Sequence, residues 1–341
     1  MRTPSREGNR FAIVTGATSG IGRSLAFALA KEGWTVMLGC RNLDLGRSVA
    51  AEINETTEQG KAQVGPKLDF KSLECIRQFA NQLGETRIDL LVNNVGTNFE
   101  KEWFSEEGVP WPTQVNYVGH YLLTRLLLGN LKAAESPRII NVSSIMHRFA
   151  DLKNIDKFLT THHEGSYRNA KLAIVLFTQE LQRKLGAGSH VKCYAVDPGA
   201  VNTSIFSKSS FSIFPLNQIL DLCYASPDDG CQAVLHACQS DRLNASGGGL
   251  FLARGLFASP LITKSWEKDF GGGVLGALGK SIHMGVAMIG SLMDGPIRKI
   301  TGSRCQSETS VVACSESAND VNFAKRLWEA TAEVVGLPKD L

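Results

Sequence analysis

An α/β fold built on a doubly wound parallel sheet is predicted from three observations. Short apolar runs rich in β-branched residues recur along the chain, each about the length of one strand. Stretches with helical apolar spacing separate them, and that alternation makes a parallel sheet with helices on both faces. Glycines and polar residues gather just after the apolar runs, at the carboxyl ends of the predicted strands, where ligands bind in such sheets. The chain has 341 residues, enough for one large domain or two modest ones.

The first predicted strand, Phe11–Thr15, runs into Gly16-Ala17-Thr18-Ser19-Gly20-Ile21-Gly22 and then into a helix with Leu25, Ala28 and Leu29 on one face. Glycine lets the backbone turn sharply and approach a pyrophosphate, and the helix N-terminus presents unpaired N–H groups and a positive dipole end. The spacing is G-x-x-x-G-x-G, and the context of strand, turn and helix makes it a Rossmann-type dinucleotide turn. Gly33 ends the helix. Thr35–Cys40 is the second strand, and Arg41 follows it where an acidic residue would hold the ribose hydroxyls of NAD. An arginine there suits a 2′-phosphate, which points to NADP(H). Arg47 and Lys31 are further cations that the sequence does not rank.

A helix-favouring stretch spans Asp44 to Gly60, and Lys67-Leu68-Asp69-Phe70 reads as the end of a third strand with Asp69 at its tip. Ser72 is the N-cap of a helix to Leu83. Ile88–Val92 is a fourth strand, ending in Asn93-Asn94-Val95-Gly96. A long helix is predicted from Gln114 through Leu128. Asn116 lies inside it, a poor residue there by propensity, so it is either exposed or its amide is used. Arg138–Ser144 is a fifth strand with hydroxyls at its end, and Asp151–Gly165 reads as a polar loop. Tyr167 and Lys171 then share one helix face, one turn apart. An ammonium beside a phenol favours the phenolate, so the pair can act as a general acid–base. Val191–Val196 is the sixth strand, leading into Asp197-Pro198-Gly199-Ala200-Val201-Asn202-Thr203. Pro227–Leu235 is a further helix and Leu250–Leu252 a last strand.

Composition excludes some classes. A net charge of +3 is too small to argue for nucleic acid. The eight cysteines form no Cys-x-x-Cys pair and sit mostly in apolar runs, which suits reduced thiols in an intracellular protein. The stretch from Met1 to Arg10 lacks the apolar run of a secretory signal. His162-His163 has no supporting carboxylate or cysteine cluster, so no metal is expected.

These motifs, taken together and in this order, resemble the short-chain dehydrogenase/reductase family over roughly Arg10 to Leu252. Cys40-Arg41-Asn42, Asn116-Tyr117-Val118-Gly119-His120 and Ala324-Lys325-Arg326-Leu327-Trp328-Glu329 resemble its retinol dehydrogenase-like branch. The resemblance implies a catalytic set of Asn116, Ser144, Tyr167 and Lys171. Tyr167 would be the acid–base, and Lys171 would tune it and hold the nicotinamide ribose. Ser144 would bind the reacting oxygen, and Asn116 would hold a relay water. Ser143 ranks behind Ser144, because alternation sends the two side chains to opposite faces. The implied cofactor site comprises Gly16, Ser19, Gly20, Ile21, Gly22, Arg41, Asp69, Asn94, Gly96, Pro198, Gly199 and Thr203, with Tyr167 and Lys171. Val95 stands where the family usually has alanine, and the Ser144–Tyr167 interval is longer than in many members, which places an insertion beside the substrate cleft.

The expected organisation is one catalytic domain over 1–260 and a C-terminal extension over 261–341. Phe206–Tyr224 would form an apolar lid over the substrate, as in the family. Phe270–Met293 is apolar and glycine-rich with basic flanks, which suits either an insertion that is packed on the protein or disordered, or peripheral contact with a membrane. Gly302–Asp320 reads as a flexible loop and Val321–Val335 as an amphipathic helix. The expected activity is NADP(H)-dependent hydride transfer to or from an apolar alcohol or carbonyl, retinoid-, steroid- or otherwise lipid-like. The expected place is the cytoplasm or the surface of an organelle membrane. Two alternatives stand beside it: a protochlorophyllide-reductase-like enzyme on a large ring substrate, and a catalytically idle dinucleotide-binding interaction protein. The oligomeric state is left open.

Overall fold

The computed structural model describes residues 10–97, 103–162, 165–199, 201, 226–245, 248–253, 310–311 and 316–341. Eight strands form one sheet: β1 (Phe11–Thr15), β2 (Thr35–Cys40), β3 (Lys61–Lys67), β4 (Leu90–Asn93), β5 (Arg138–Val142), β6 (Lys192–Asp197), β7 (Leu250–Ala253) and β8 (Ser310–Val311). Their order is β3-β2-β1-β4-β5-β6-β7-β8. All neighbours through β7 pair in parallel, and β8 closes the edge antiparallel to β7. The chain winds outward from β1 to β3, then crosses back to place β4 on the other side of β1. That reversal opens a crevice at the carboxyl ends of β1 and β4.

The strands alternate their side chains between two cores, as a period of two requires. Ala12, Val14, Val36, Leu38, Val92 and Ile140 face one layer, with α1 (Gly20–Lys31), α2 (Leu43–Thr56) and α9 (Pro227–Gln239). Ile13, Met37, Leu91, Ile139 and Cys193 face the other. There lie α3 (Leu73–Leu83), α5 (Gly119–Leu126), α8 (Ser166–Leu185) and the terminal helix α11 (Val321–Val334). The small helices α4 (Trp111–Thr113), α6 (Leu128–Lys132), α7 (Ile155–Thr160) and α10 (Asp241–Ala245) complete the set. The terminal helix seals the second layer: Trp328 is 1 % exposed, its ring stacks on Phe177 at 5.8 Å, and its Nε1–H donates to the Lys339 carbonyl at 2.7 Å.

Four elements differ from expectation. The third strand lies at 61–67, so Asp69 is two residues past its end rather than at its tip. It is an edge strand with exposed alternate positions and a proline, which hides it from a search for apolar runs. The helix around Asn116 begins at Trp111 and contains a π-turn at Gln114–Val118. Asn116 Nδ2 donates to the Pro112 carbonyl at 2.7 Å, occupying the acceptor that an α-helical turn would use, and the ladder widens there. The expected loop at 151–165 contains α7, capped by Asn154 and anchored by buried Phe158 and Leu159. The expected loop at 302–320 contains β8 and a 3₁₀ turn at Glu316–Asn319.

Candidate active site

The crevice has two ends. At the first, Gly16 and Gly20 take φ of 67° and 53°, left-handed backbone that favours glycine. Gly22 packs against the turn: a Cβ there would lie 2.4 Å from the Gly16 carbonyl oxygen and 2.5 Å from Asn94 Nδ2. Asn94 ties the turn to β4, its N–H donating to Thr15 Oγ1 and its Nδ2 to the Thr15 carbonyl, both at 2.9 Å. Ser19 is exposed at the N-cap of α1 and its side chain makes no capping bond. Ile21 is half-buried, and no acidic residue occupies the first turn. This cradle of backbone N–H groups and glycines fits a pyrophosphate. Arg41 is exposed just past β2. Its charge acts on Lys71, whose Nζ lies 3.6 Å from the centroid of the Trp111 ring. Asp69 is half-buried and accepts the Lys71 N–H at 3.1 Å.

The second end is built from side chains. Tyr167 enters in the first turn of α8, behind Gly165, whose φ of 90° turns the chain into the helix. Its hydroxyl is hydrogen-bonded to the Ser144 side chain, which also caps the 3₁₀ turn Ile145–Phe149 through the Met146 N–H. Ser143 points the other way and donates to the Lys171 carbonyl at 2.9 Å. Lys171 is 3 % exposed; its ammonium donates to the Val142 carbonyl at 2.9 Å and lies 5.5 Å from the centroid of the Tyr167 ring. Burial pulls the Lys171 pKa down to about 8, opposed by the Asp197 carboxylate. Burial also pushes the Tyr167 phenol above its ordinary value, with the Ser144 hydrogen bond pulling down and Asp197 pushing up. Desolvation is the largest influence on Tyr167, so the phenol does not show the lowering expected from its pairing with Lys171.

Asn116 is fully buried, so its amide is used. It clamps the chain after β4: the Thr97 N–H donates to Oδ1 at 3.0 Å, and Nδ2 donates to the Thr97 carbonyl at 2.7 Å. Both amide hydrogens thus end on backbone carbonyls. One turn on, His120 bonds the Val95 carbonyl through Nε2 at 2.8 Å; burial drives its pKa to about 3, so the ring is neutral and Nε2–H donates. Gly96 is half-buried between these two clamps. Pro198 is buried, and Gly199, at φ 82°, donates its N–H to Asp197 Oδ1 at 3.0 Å. Thr203, the 206–224 lid and the 270–293 stretch lie outside the described residues.

Several residues of this end escape a reading by motif. Asn93 and Asn141 are register partners on β4 and β5, and Asn93 Nδ2 donates to Asn141 Oδ1 at 2.8 Å. Asn141 passes the chain on to Thr178 on α8 at 2.9 Å. Asparagines inside apolar strand runs are the signal that could have found them. His120 and Asp197 sit inside quoted motifs, but only packing shows what they touch. Among the described residues, no group of three His, Cys, Asp or Glu could hold a metal ion. Cys40, Cys193, Cys231 and Cys238 are buried. No helix among the described residues is long and apolar enough to cross a membrane.

Comparison with known proteins agrees with this geometry. The family profile described as short chain dehydrogenase matches residues 10–211. Retinol dehydrogenase 13 of Mus musculus is 37% identical over 252 residues, 70% of this chain and 74% of its own. Human polyprenol dehydrogenase is 36% identical over 251 residues, 70% of this chain and 76% of its own. A crystal structure of an uncharacterized protein from Mycobacterium paratuberculosis shares the fold with a TM-score of 0.67 at 24% identity, covering 97% of this chain and 95% of that one. An NAD(P) dependent gluconate 5-dehydrogenase from Beutenbergia cavernae, solved with bound NADP, superposes with a TM-score of 0.58 at 27% identity over 74% of this chain and 97% of its own. The chain belongs to the short chain dehydrogenase family, as an oxidoreductase of its retinol dehydrogenase-like branch that binds a nicotinamide dinucleotide.

Proposed function

We propose that the protein is an NADP(H)-dependent oxidoreductase of an apolar alcohol or carbonyl, with Asn116, Ser144, Tyr167 and Lys171 as its working residues. The observation that carries this reading is the hydrogen-bonded Ser144–Tyr167 pair with buried Lys171 one helical turn on, at the carboxyl edge of the sheet. The glycine cradle, Arg41, Asp69, Asn94, Gly96, Pro198 and Gly199 hold the dinucleotide, which supplies or accepts the hydride when bound.

In the reductive direction the protonated Tyr167 phenol gives its proton to the carbonyl oxygen. The Ser144 hydroxyl donates to the same oxygen and stabilises the alkoxide as it forms. The Lys171 ammonium favours the phenolate left behind. Asn116 fixes Thr97 and with it the cofactor wall; toward a relay water its side chain offers only the remaining lone pair of Oδ1. The preference for NADP(H) rests on Arg41, supported by Lys71 close to it. The apolar substrate class rests on relatives named for retinol and polyprenol.

The test is NADPH oxidation by the full chain against aldehydes graded from hexanal through decanal to retinal and a long isoprenoid aldehyde. Catalytic efficiency should rise with apolar size. Equal or better use of a polar sugar ketone would overturn the substrate class.

A further inference from the structure

Among the described residues, Asp197 is the one carboxylate acting on both members of the proposed proton-transfer pair, and no role for it follows from the chemistry above. It ends β6, is 3 % exposed, and accepts the Gly199 N–H at 3.0 Å. The Lys171 ammonium rests on the Val142 carbonyl at the end of β5. Val142 is in register with Val196, and the Ser143 N–H donates to the Val196 carbonyl at 2.8 Å. The ammonium therefore sits against the strand end that carries Asp197. An isolated buried ammonium loses its proton readily, and a carboxylate beside it opposes that loss. We infer that Asp197 is a positioning residue for the pair, its carboxylate holding Lys171 as an ammonium inside a water-poor site.

Among the described residues, Asp197 is the charge that acts on both groups. His120 on α5 and His147 on the 3₁₀ turn are buried and kept neutral, at about 3 and about 4. Arg148 and Arg168 carry further positive charge on the same turn and helix; Arg148 acts on His147. Asp197 raises the proton affinity of Lys171 and of Tyr167 alike. Removing its charge makes both groups release protons more easily, so both macroscopic steps of the coupled pair move the same way, toward acid.

This inference rests on Tyr167 and Lys171 being the proton-transfer pair, and the experiment separates the two. The pH profile of NADPH-dependent decanal reduction is measured for the native chain, Asp197→Asn, Asp197→Ser, Asp197→Glu and Tyr167→Phe. Asn keeps the size of the side chain and an oxygen for the Gly199 N–H, Ser keeps a shorter oxygen, and both remove the charge. Both should shift the profile toward acid by about one pH unit, while Glu restores its position. Asn or Ser profiles that keep their native position, or that fall by one constant factor at every pH, overturn the role of Asp197. A fully active Tyr167→Phe overturns the underlying pair instead.

Discussion

The two ends of the crevice are made by opposite means. The glycine end is backbone: left-handed Gly16 and Gly20, a closely packed Gly22, an N-cap serine that makes no side-chain bond, and an exposed Arg41. The proposed reaction end is buried side chain, with Asn116, Lys171, Asp197, His120 and His147 each nearly or fully buried and each bonded to a neighbour. The division follows the task at each end. A pyrophosphate needs N–H groups and close approach, which glycine supplies. Proton transfer needs titratable groups whose affinities are set by burial and neighbours.

The contrast breaks first, and most visibly, at Tyr167. Tyr167→Phe should reduce turnover by about 10²- to 10⁴-fold, the range of general acid–base catalysis, with NADPH affinity retained. Fluorescence titration and steady-state rates check this, and near-native turnover would remove Tyr167 from the chemistry. The next effect belongs to the reaction end alone. His120 and His147 are held neutral, at about 3 and about 4 against the ordinary value near 6.5. Below about 6.5 the unfolded chain binds protons that the folded chain refuses. Stability is therefore full above that pH and falls as the pH drops toward about 4, by up to ~1.4 kcal/mol per unit for each histidine. Thermal midpoints taken from pH 7.5 to 4.5 should decline accordingly; a flat series would mean the imidazoles are not sequestered.

Smaller effects probe the backbone end. Gly22→Ala forces a methyl to 2.4 Å from the Gly16 carbonyl oxygen, so the turn must shift. We expect NADPH affinity to fall about ten-fold or more, since a tenfold change needs only ~1.4 kcal/mol of misplaced contact. Ser19→Ala removes a hydroxyl that the turn itself does not use, so it should cost only that group's own contact with the cofactor, less than Gly22→Ala. Equal damage from both would erase the distinction drawn here. Arg41→Asp tests the rim of this end. It should weaken NADPH and strengthen NADH, reversing the preference for NADPH proposed for the native chain; tighter NADH binding by the native chain would refute the assignment.

What could be read from the sequence is what is local. The glycine turn, the Ser72 cap and the Tyr167–Lys171 spacing each declare themselves within a few residues, and the structure places all three as expected on strand ends and helix starts. The hidden features depend on partners far along the chain. β3 is an edge strand that shows no apolar run, and β8 is two residues long and exists only through pairing with β7. The α7 helix is only six residues long and sits against the terminal helix, more than 150 positions later. The π-turn requires Thr97 and Pro112 to meet one amide, and Asp197 gains its meaning from a lysine on α8. Motif order could suggest which residues meet, but not that desolvation dominates at Tyr167.

The most direct test of the whole account follows the hydride. The full chain is incubated with NADPH carrying deuterium at the transferred C4 position and with retinal or decanal, and the alcohol is examined by mass spectrometry. One deuterium is expected at the carbinol carbon of each alcohol, formed in step with NADP⁺ and about 10²- to 10⁴-fold more slowly in Tyr167→Phe. Tight NADPH binding with no label in any alcohol, across the graded aldehydes, would contradict it and leave a dinucleotide-binding protein without the chemistry.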